Sequence, residues 1–272
     1  MNMYRQKRYD ECIKEVKSKL KKSPNSLHLL NYQAMSYTAL KKDREALLSY
    51  QKIIKNDPKL AGPYYNMGII LRRNERVEEA ISNYRKAISL KPDYVQAYNN
   101  LGVLYKDNEE YENAIKMFTK AKELQPDHQN SYYNLALIKK EQGLNEEAIE
   151  LLSKVIDLNP EHSEASLLLT TTSNELGIKF HKEGKHKSAL KYFNLLTGLN
   201  PAAAFTFFNL ANTYMQLEDF ENAKVNFEKA LTLKPKYEPA LGNLAVAYRN
   251  LGKIEKSLRC SNEAIKINTQ NP

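Results

Sequence analysis

The chain has 272 residues, 42% hydrophobic and 27% charged, with nine Gly and no Trp, a balance that excludes disordered and collagen-like classes and suits a soluble helical protein. No apolar run approaches the roughly 18 residues of a membrane helix, and residues 1–20 lack the apolar centre of a signal peptide, so no membrane insertion and a cytoplasmic setting are expected. The net charge of +9 favours acidic partners and raises nucleic acid as a candidate without deciding it.

Sliding the chain along itself by 34 residues superimposes Pro24, Pro58, Pro92, Pro126 and Pro160, and after one break Pro201 and Pro235. A fixed period of this size means stacked supersecondary units. Residues 1–26 match only the second half of a unit, with Tyr9, Cys12, Ile13, Val16 and Leu20 on one helical stripe. The unit 27–60 carries Leu30, Ala34 and Tyr37 at helical spacing, a polar turn at residues 41–43, then Ala46, Tyr50, Ile53 and Pro58. That pattern predicts two amphipathic helices joined by a short turn. Units 61–94, 95–128 and 129–162 repeat it, and Asp93 and Asp127, directly after their prolines, are expected to cap the helices that follow.

The interval from Pro160 to Pro201 is seven residues too long. Aligning Leu176, Gly177, Phe180, Gly184, Ala189 and Phe193 with the repeat places the excess at Ser163 to Leu169, in the unit 163–203. Seven residues make about two helical turns and keep the same face inward, so one long helix from Ser163 to Lys182 is the preferred reading. The β-branched run Thr170, Thr171, Thr172 offers a break as the alternative. Unit 204–237 returns to the period. The terminal unit 238–272 is degenerate, with Ser257 and Ser261 in second-helix core positions and Thr269 in place of proline, and reads as a partial cap or an oligomer contact.

Tyr98, Leu101, Gly102, Tyr105, Ala114, Phe118, Ala121 and Pro126 form a pattern that resembles the tetratricopeptide repeat. Small residues recur in the first helix as Ala34, Gly68, Gly102, Ala136, Gly177, Ala211 and Ala245, and in the second as Ala46, Ala80, Ala114, Ala148, Ala189 and Ala223. The resemblance implies an all-α fold, a right-handed α-solenoid of helix-turn-helix units whose first helices line a concave groove, the whole chain forming a single array. It says little about function, because such arrays serve many partners.

Function then rests on residues that packing leaves over. Asn66, Asn100, Asn134, Asn209 and Asn243 precede the first-helix core residue in five units. A row of amides can hydrogen-bond the backbone of an extended peptide, since each offers donor and acceptor. The arrangement is similar to the asparagine ladder in the repeat domain of O-linked N-acetylglucosamine transferase; the competing reading is that these amides satisfy local backbone groups. Beside them lie Asn31, Tyr65, Asn99, Tyr133, Asn174 and Phe208, an aliphatic set with Ile69, Val103 and Ile178, and a basic margin of Arg72, Lys106, Lys140, His181 and Arg249. This surface suits an extended or helical, acidic and apolar peptide. The family's carboxylate clamp for chaperone tails is disfavoured, because its sites hold residues such as Tyr65, Ile69, Asn99 and Val103, and only Asn212 fits the required type.

No catalytic residues, metal site or cofactor are expected. His181 and His186 lack the spacing of a zinc helix, and Cys12 and Cys260, at opposite ends of an array, do not suggest a disulfide. Glu78, Glu79, Glu146 and Glu147 open second helices, where the helix dipole favours negative charge. The leading expectation is a noncatalytic protein-binding scaffold or adaptor. A substrate-recognition arm of a larger enzyme or multi-subunit complex comes second, and needs a longer parent chain or a partner subunit. Nucleic-acid binding comes last, because basic and acidic residues alternate in every unit.

Overall fold

The computed structural model describes residues 2–269; Met1 and residues 270–272, which belong to the expected terminal units 1–26 and 238–272, lie outside the described residues. Among the described residues all regular structure is helical. Helix α1 spans Asn2–Arg5, α2 Tyr9–Leu20, α3 Leu27–Ala39, α4 Asp43–Asn56, α5 Ala61–Arg73, α6 Val77–Leu90, α7 Val95–Asp107 and α8 Tyr111–Leu124. Then follow α9 Gln129–Glu141, α10 Asn145–Leu158, α11 Ser163–Lys182, α12 His186–Leu199, α13 Ala204–Gln216, α14 Phe220–Leu233, α15 Glu238–Asn250 and α16 Ile254–Thr269. The chain divides into two compact units, Met1–Ile138 and Lys139–Pro272.

In the first unit α3 packs on α4, α5 on α6 and α7 on α8, while α4 leads onto α5 and α6 onto α7. In the second, α11 packs on α12, α13 on α14 and α15 on α16, linked through α12 to α13 and α14 to α15. The small residues make this possible. A Cβ built on Gly68 would stand 2.6 Å from Tyr84 Cε1, one on Gly102 2.7 Å from Phe118 Cε1, and one on Gly177 2.8 Å from Phe193 Cε1. Each ring comes from the second helix of the same pair and is fully buried. Burying such a side chain stabilises by about 1.5–3 kcal/mol, so the close approach is a principal source of stability.

The turn inside each pair repeats one geometry. Lys42 N–H donates to Tyr37 O at 2.9 Å, Arg76 to Leu71 at 2.9 Å, Glu110 to Tyr105 at 2.8 Å and Lys185 to Phe180 at 2.9 Å. The preceding residue adopts positive φ: Lys41, Glu75, Glu109 and Glu218 do so as well as Gly143 and Gly184. This is the left-handed close of a helix that satisfies its last carbonyls.

Between pairs, the capping expected of Asp93 is not seen: α7 starts from Tyr94 with no side-chain cap. At the start of α9, His128 Nδ1 instead meets the Ser131 hydroxyl at 2.8 Å. The residue before proline supplies the acceptor at other turns, Asp57 taking Lys59 N–H at 3.0 Å and Asn159 and Asn200 taking Glu161 and Ala202 N–H at 3.2 Å. A carboxylate or amide there folds back over the proline and closes the turn.

Helix α11 is continuous over 20 residues, so the seven extra residues lie inside a helix. Thr171 Oγ1 donates back to the Leu167 carbonyl at 3.0 Å, and Thr172 is buried, which accommodates the β-branched run. Ala165 and Leu169 from the inserted stretch are buried, and α11 packs on α10. His162 caps the helix, its Nδ1 accepting Ala165 N–H at 3.3 Å. At the far end, α16 buries Ala264 but leaves Ile254, Leu258 and Ile265 exposed.

Candidate functional site

In the first unit the ladder residues Asn66, Asn100 and Asn134 stand half-buried on the first helices α5, α7 and α9. Two of their amides are engaged with neighbouring first helices. Asn66 lies beside the hydroxyl of Tyr50, a buried α4 side chain whose own pKa burial pushes up to about 12. Asn100 lies beside the corresponding Tyr84 but gives Nδ2 to the Tyr65 hydroxyl at 3.2 Å, leaving the Tyr84 hydroxyl without a bond of good geometry. Phe118 takes that position in α8 and offers no hydroxyl, and Asn134 Nδ2 turns to Asn99 Oδ1 at 3.4 Å. The first-helix face of this unit is therefore cross-linked by amide and phenol groups between successive first helices. Each bond fixes an amide plane while leaving the carbonyl oxygen of Asn100 and Asn134 as an acceptor.

The neighbouring residues fall into place around this row. Tyr65 is half-buried, its ring centroid 4.8 Å from that of Tyr94, and burial raises its pKa. Asn99 is only 9% exposed, so it acts through Asn134 rather than as open floor. Tyr133 is half-buried on α9, and Ile69 and Val103 are partly covered. The basic margin is ion-paired: Arg72 Nη2 meets Asp107 at 3.0 Å and Lys106 reaches the same carboxylate at 3.4 Å. A peptide carboxylate there would exchange with Asp107 rather than meet bare cations.

The second unit carries Asn209 on α13 and Asn243 on α15. Asn243 Nδ2 donates to Asn212 Oδ1 at 2.7 Å, whereas Asn209 Nδ2 is shielded from solvent without a protein partner. Lys140 pairs with Glu175 at 2.5 Å. His181 Nδ1 lies 3.0 Å from Thr213 Oγ1. Burial first, then the neighbouring His186, hold the His181 pKa below the ordinary imidazole range. Sequence reasoning missed that Tyr65, Asn99 and Asn212, on neighbouring first helices, take the side-chain N–H of Asn100, Asn134 and Asn243. It also passed over the rings of Tyr50, Tyr84, Phe118, Phe193 and Phe227, although each precedes its ladder asparagine at a constant offset in the repeat. Among the described residues no three His, Cys, Asp or Glu side chains come together to hold a metal ion, and no helix is long and apolar enough to cross a membrane.

Family models described as tetratricopeptide repeat match residues 32–59, 49–82, 95–128, 129–162, 204–237 and 238–271, and one described as TPR repeat matches 70–109. Over 84 residues, 31% of this chain, it is 27% identical to the probable UDP-N-acetylglucosamine–peptide N-acetylglucosaminyltransferase SEC of Arabidopsis thaliana. Over 97 residues, 36% of the chain, it is 28% identical to the tetratricopeptide repeat-containing protein trd-1 of Caenorhabditis elegans. These matches span 9% and 13% of the two curated relatives' lengths. Among solved structures, the C-terminal part of a TPR repeat-containing protein from Cytophaga hutchinsonii superimposes with a TM-score of 0.61 at 18% identity, over 88% of this chain and 95% of that one. MamA does so with a TM-score of 0.55 at 24% identity, over 60% of this chain and 95% of its own. With the 34-residue period, the small residues under the rings and the repeated helical pairs, these matches establish that the chain belongs to the tetratricopeptide repeat family.

Proposed function

We propose that the chain is a noncatalytic scaffold that binds an extended or helical peptide segment of a partner protein along its first-helix face. The observation that carries this reading is the pre-orientation of the ladder amides. Asn100 and Asn134 are held by Tyr65 and Asn99, with their carbonyl oxygens left to accept peptide N–H groups. Groups fixed before binding lose less entropy when the ligand arrives, which favours a recognition role over a purely local one. Arg72 and Lys106 would favour a peptide with a carboxylate able to replace Asp107 in the first unit, and Lys140 one able to replace Glu175 in the second. The free thiols of Cys12 and Cys260 fit a reducing, cytoplasmic setting.

The test is selection of binding peptides from a displayed library on the intact chain, followed by Asn100→Ala with Asn134→Ala. Losing two hydrogen bonds of about 0.5–1.5 kcal/mol each should weaken binding about tenfold or more. The same variant should melt slightly earlier, because both amides also bridge first helices. Undiminished binding by the double variant would sink the ladder reading.

A second reading is that the array presents protein substrates to an enzyme, supported by the likeness to the Arabidopsis transferase. Affinity capture with the intact chain and mass spectrometry of what it retains distinguishes the two. A glycosyltransferase or other catalytic subunit retained in stoichiometric amount favours the second.

A further inference from the structure

The repeats serve as controls for one another, and three departures from their common pattern meet at one place in the second unit. Where α11 carries Lys179, the other repeats carry Ser36, Ile70, Leu104, Ile138, Thr213 and Ala247, all 3% exposed or less, whereas Lys179 is exposed. Just before α10, Leu144 stands 41% exposed where the other repeats place a charge, as Lys42, Arg76, Glu110, Lys185, Asp219 and Lys253. At the first residue of α10, Asn145 replaces the apolar or aromatic Val77, Tyr111, Phe220 and Ile254, with Asp43 and His186 in the remaining two. One exposed Leu or Lys is ordinary for a protein surface. Here apolar and charged positions are exchanged, and all three residues line one cleft of about 290 Å³ whose further apolar walls are Leu176 and Phe180.

The other groups around the cleft have partners. Glu147 pairs with Lys139 at 2.7 Å, and Glu146 accepts the Tyr192 hydroxyl at 3.1 Å. The Phe180 ring is stacked on Tyr192 with centroids 5.7 Å apart, so that wall is held in place. Lys179 alone of the charged residues lining the cleft has neither ion pair nor hydrogen bond among the described residues. Elsewhere in this unit Lys185, Lys191 and Lys229 lie over aromatic rings at 5.6, 5.3 and 4.5 Å, and Lys179 has no such ring.

We propose that this cleft docks an aromatic side chain of a partner protein, the ring taking the place that Tyr111 and Phe220 hold at the start of their own second helices. Leu144, Leu176 and Phe180 cover the ring, and the Lys179 ammonium meets its face. Burial of the ring supplies the affinity, and the cation selects an aromatic over an aliphatic side chain. Glu146 and Glu147 outnumber the one lysine in the lining, which disfavours a carboxylate or a phosphate. The inference rests on the protein-binding reading above but uses no residue of the asparagine ladder.

The test titrates the intact chain, labelled with ¹³C in its leucine methyl groups, with N-acetylphenylalanine amide, its leucine and alanine counterparts, and adenosine monophosphate. The phenylalanine probe should shift the Leu144 and Leu176 methyl signals saturably, with a Kd on the order of 1 mM for a ligand of this size. The leucine probe should bind more weakly, and the alanine probe and the nucleotide should leave the signals in place. Lys179→Met keeps the stem and removes the charge, and should weaken the phenylalanine probe about two- to fivefold while leaving the leucine probe unchanged. Asn145→Tyr supplies a ring from the chain itself, and should raise the melting temperature by about 2–4 °C and abolish the response. No saturable shift, an equal response to alanine or to the nucleotide, an affinity indifferent to Lys179→Met, or undiminished binding in Asn145→Tyr would each overturn the site. Its failure is separable from that of the ladder, because Asn100→Ala with Asn134→Ala leaves every residue of the cleft in place.

Discussion

Gly102 is small because a ring lies on it. A methyl there would press on Phe118 Cε1 at 2.7 Å, yet Ala211 and Phe227 coexist at the same two positions of a later repeat. Gly102→Ala should therefore cost about 1 kcal/mol, the low end of overpacking, read as a shift in the denaturant midpoint. Tyr192 gives a second prediction at this scale. Burial first, then its 3.1 Å hydrogen bond to Glu146, push the phenol up to about 12 from its ordinary value of 10.0. The folded state thus prefers the neutral phenol, a contribution fully present below the unfolded value and lost as pH rises from 10 toward 12. Tyr192→Phe should flatten the alkaline loss of stability over that window, as measured by thermal melts at successive pH values; an unchanged slope would remove Tyr192 as its source.

Within α11, residues two apart in the inserted stretch have opposite fates. Leu169 is 1% exposed and Leu167 is 67% exposed. Leu169→Ala should cost about 2–5 kcal/mol, whereas Leu167→Ala should be nearly neutral in the same denaturation assay. Removing Ser163 to Leu169 altogether should keep the helical phase but strip cover from α10, and equal stability of the deletion and the parent chain would refute the packing described here. The helical pairs were legible in advance, because periodic apolar positions, small residues and prolines all act locally or at a fixed offset. The caps were less so: Asp93 has the chemistry of a cap, but α7 starts from Tyr94 with no side-chain cap, and the carboxylate and amides of Asp57, Asn159 and Asn200 close the turn ahead of the helix instead. The destination of each ladder amide was hidden for a different reason. It depends on which acceptor the neighbouring first helix presents, the Tyr65 hydroxyl to Asn100 and the Asn99 carbonyl to Asn134, which no reading of one helix face reveals.

Each unit is a series of neighbour contacts, so its stability is a sum of local terms and cooperativity is limited. Denaturation of the whole chain should depart from a two-state transition, with a calorimetric enthalpy larger than the van't Hoff value. Amide exchange should be fastest in α16, where Leu258 and Ile265 are each 60% exposed while their counterparts inside the array, Ile81 among them, are covered. Uniform protection across α3 to α16 would contradict a chain of local terms. The bonds between successive first helices have a consequence for how such a surface changes over generations. The orientation of a ladder amide is set by a residue of the preceding repeat, Tyr65 for Asn100 and Asn99 for Asn134, so a substitution in one repeat alters what the next displays while the displaying residue stays the same. Ligand preference in such an array is thus open to drift from one repeat away, and a comparison confined to the residues that touch a ligand would miss the cause.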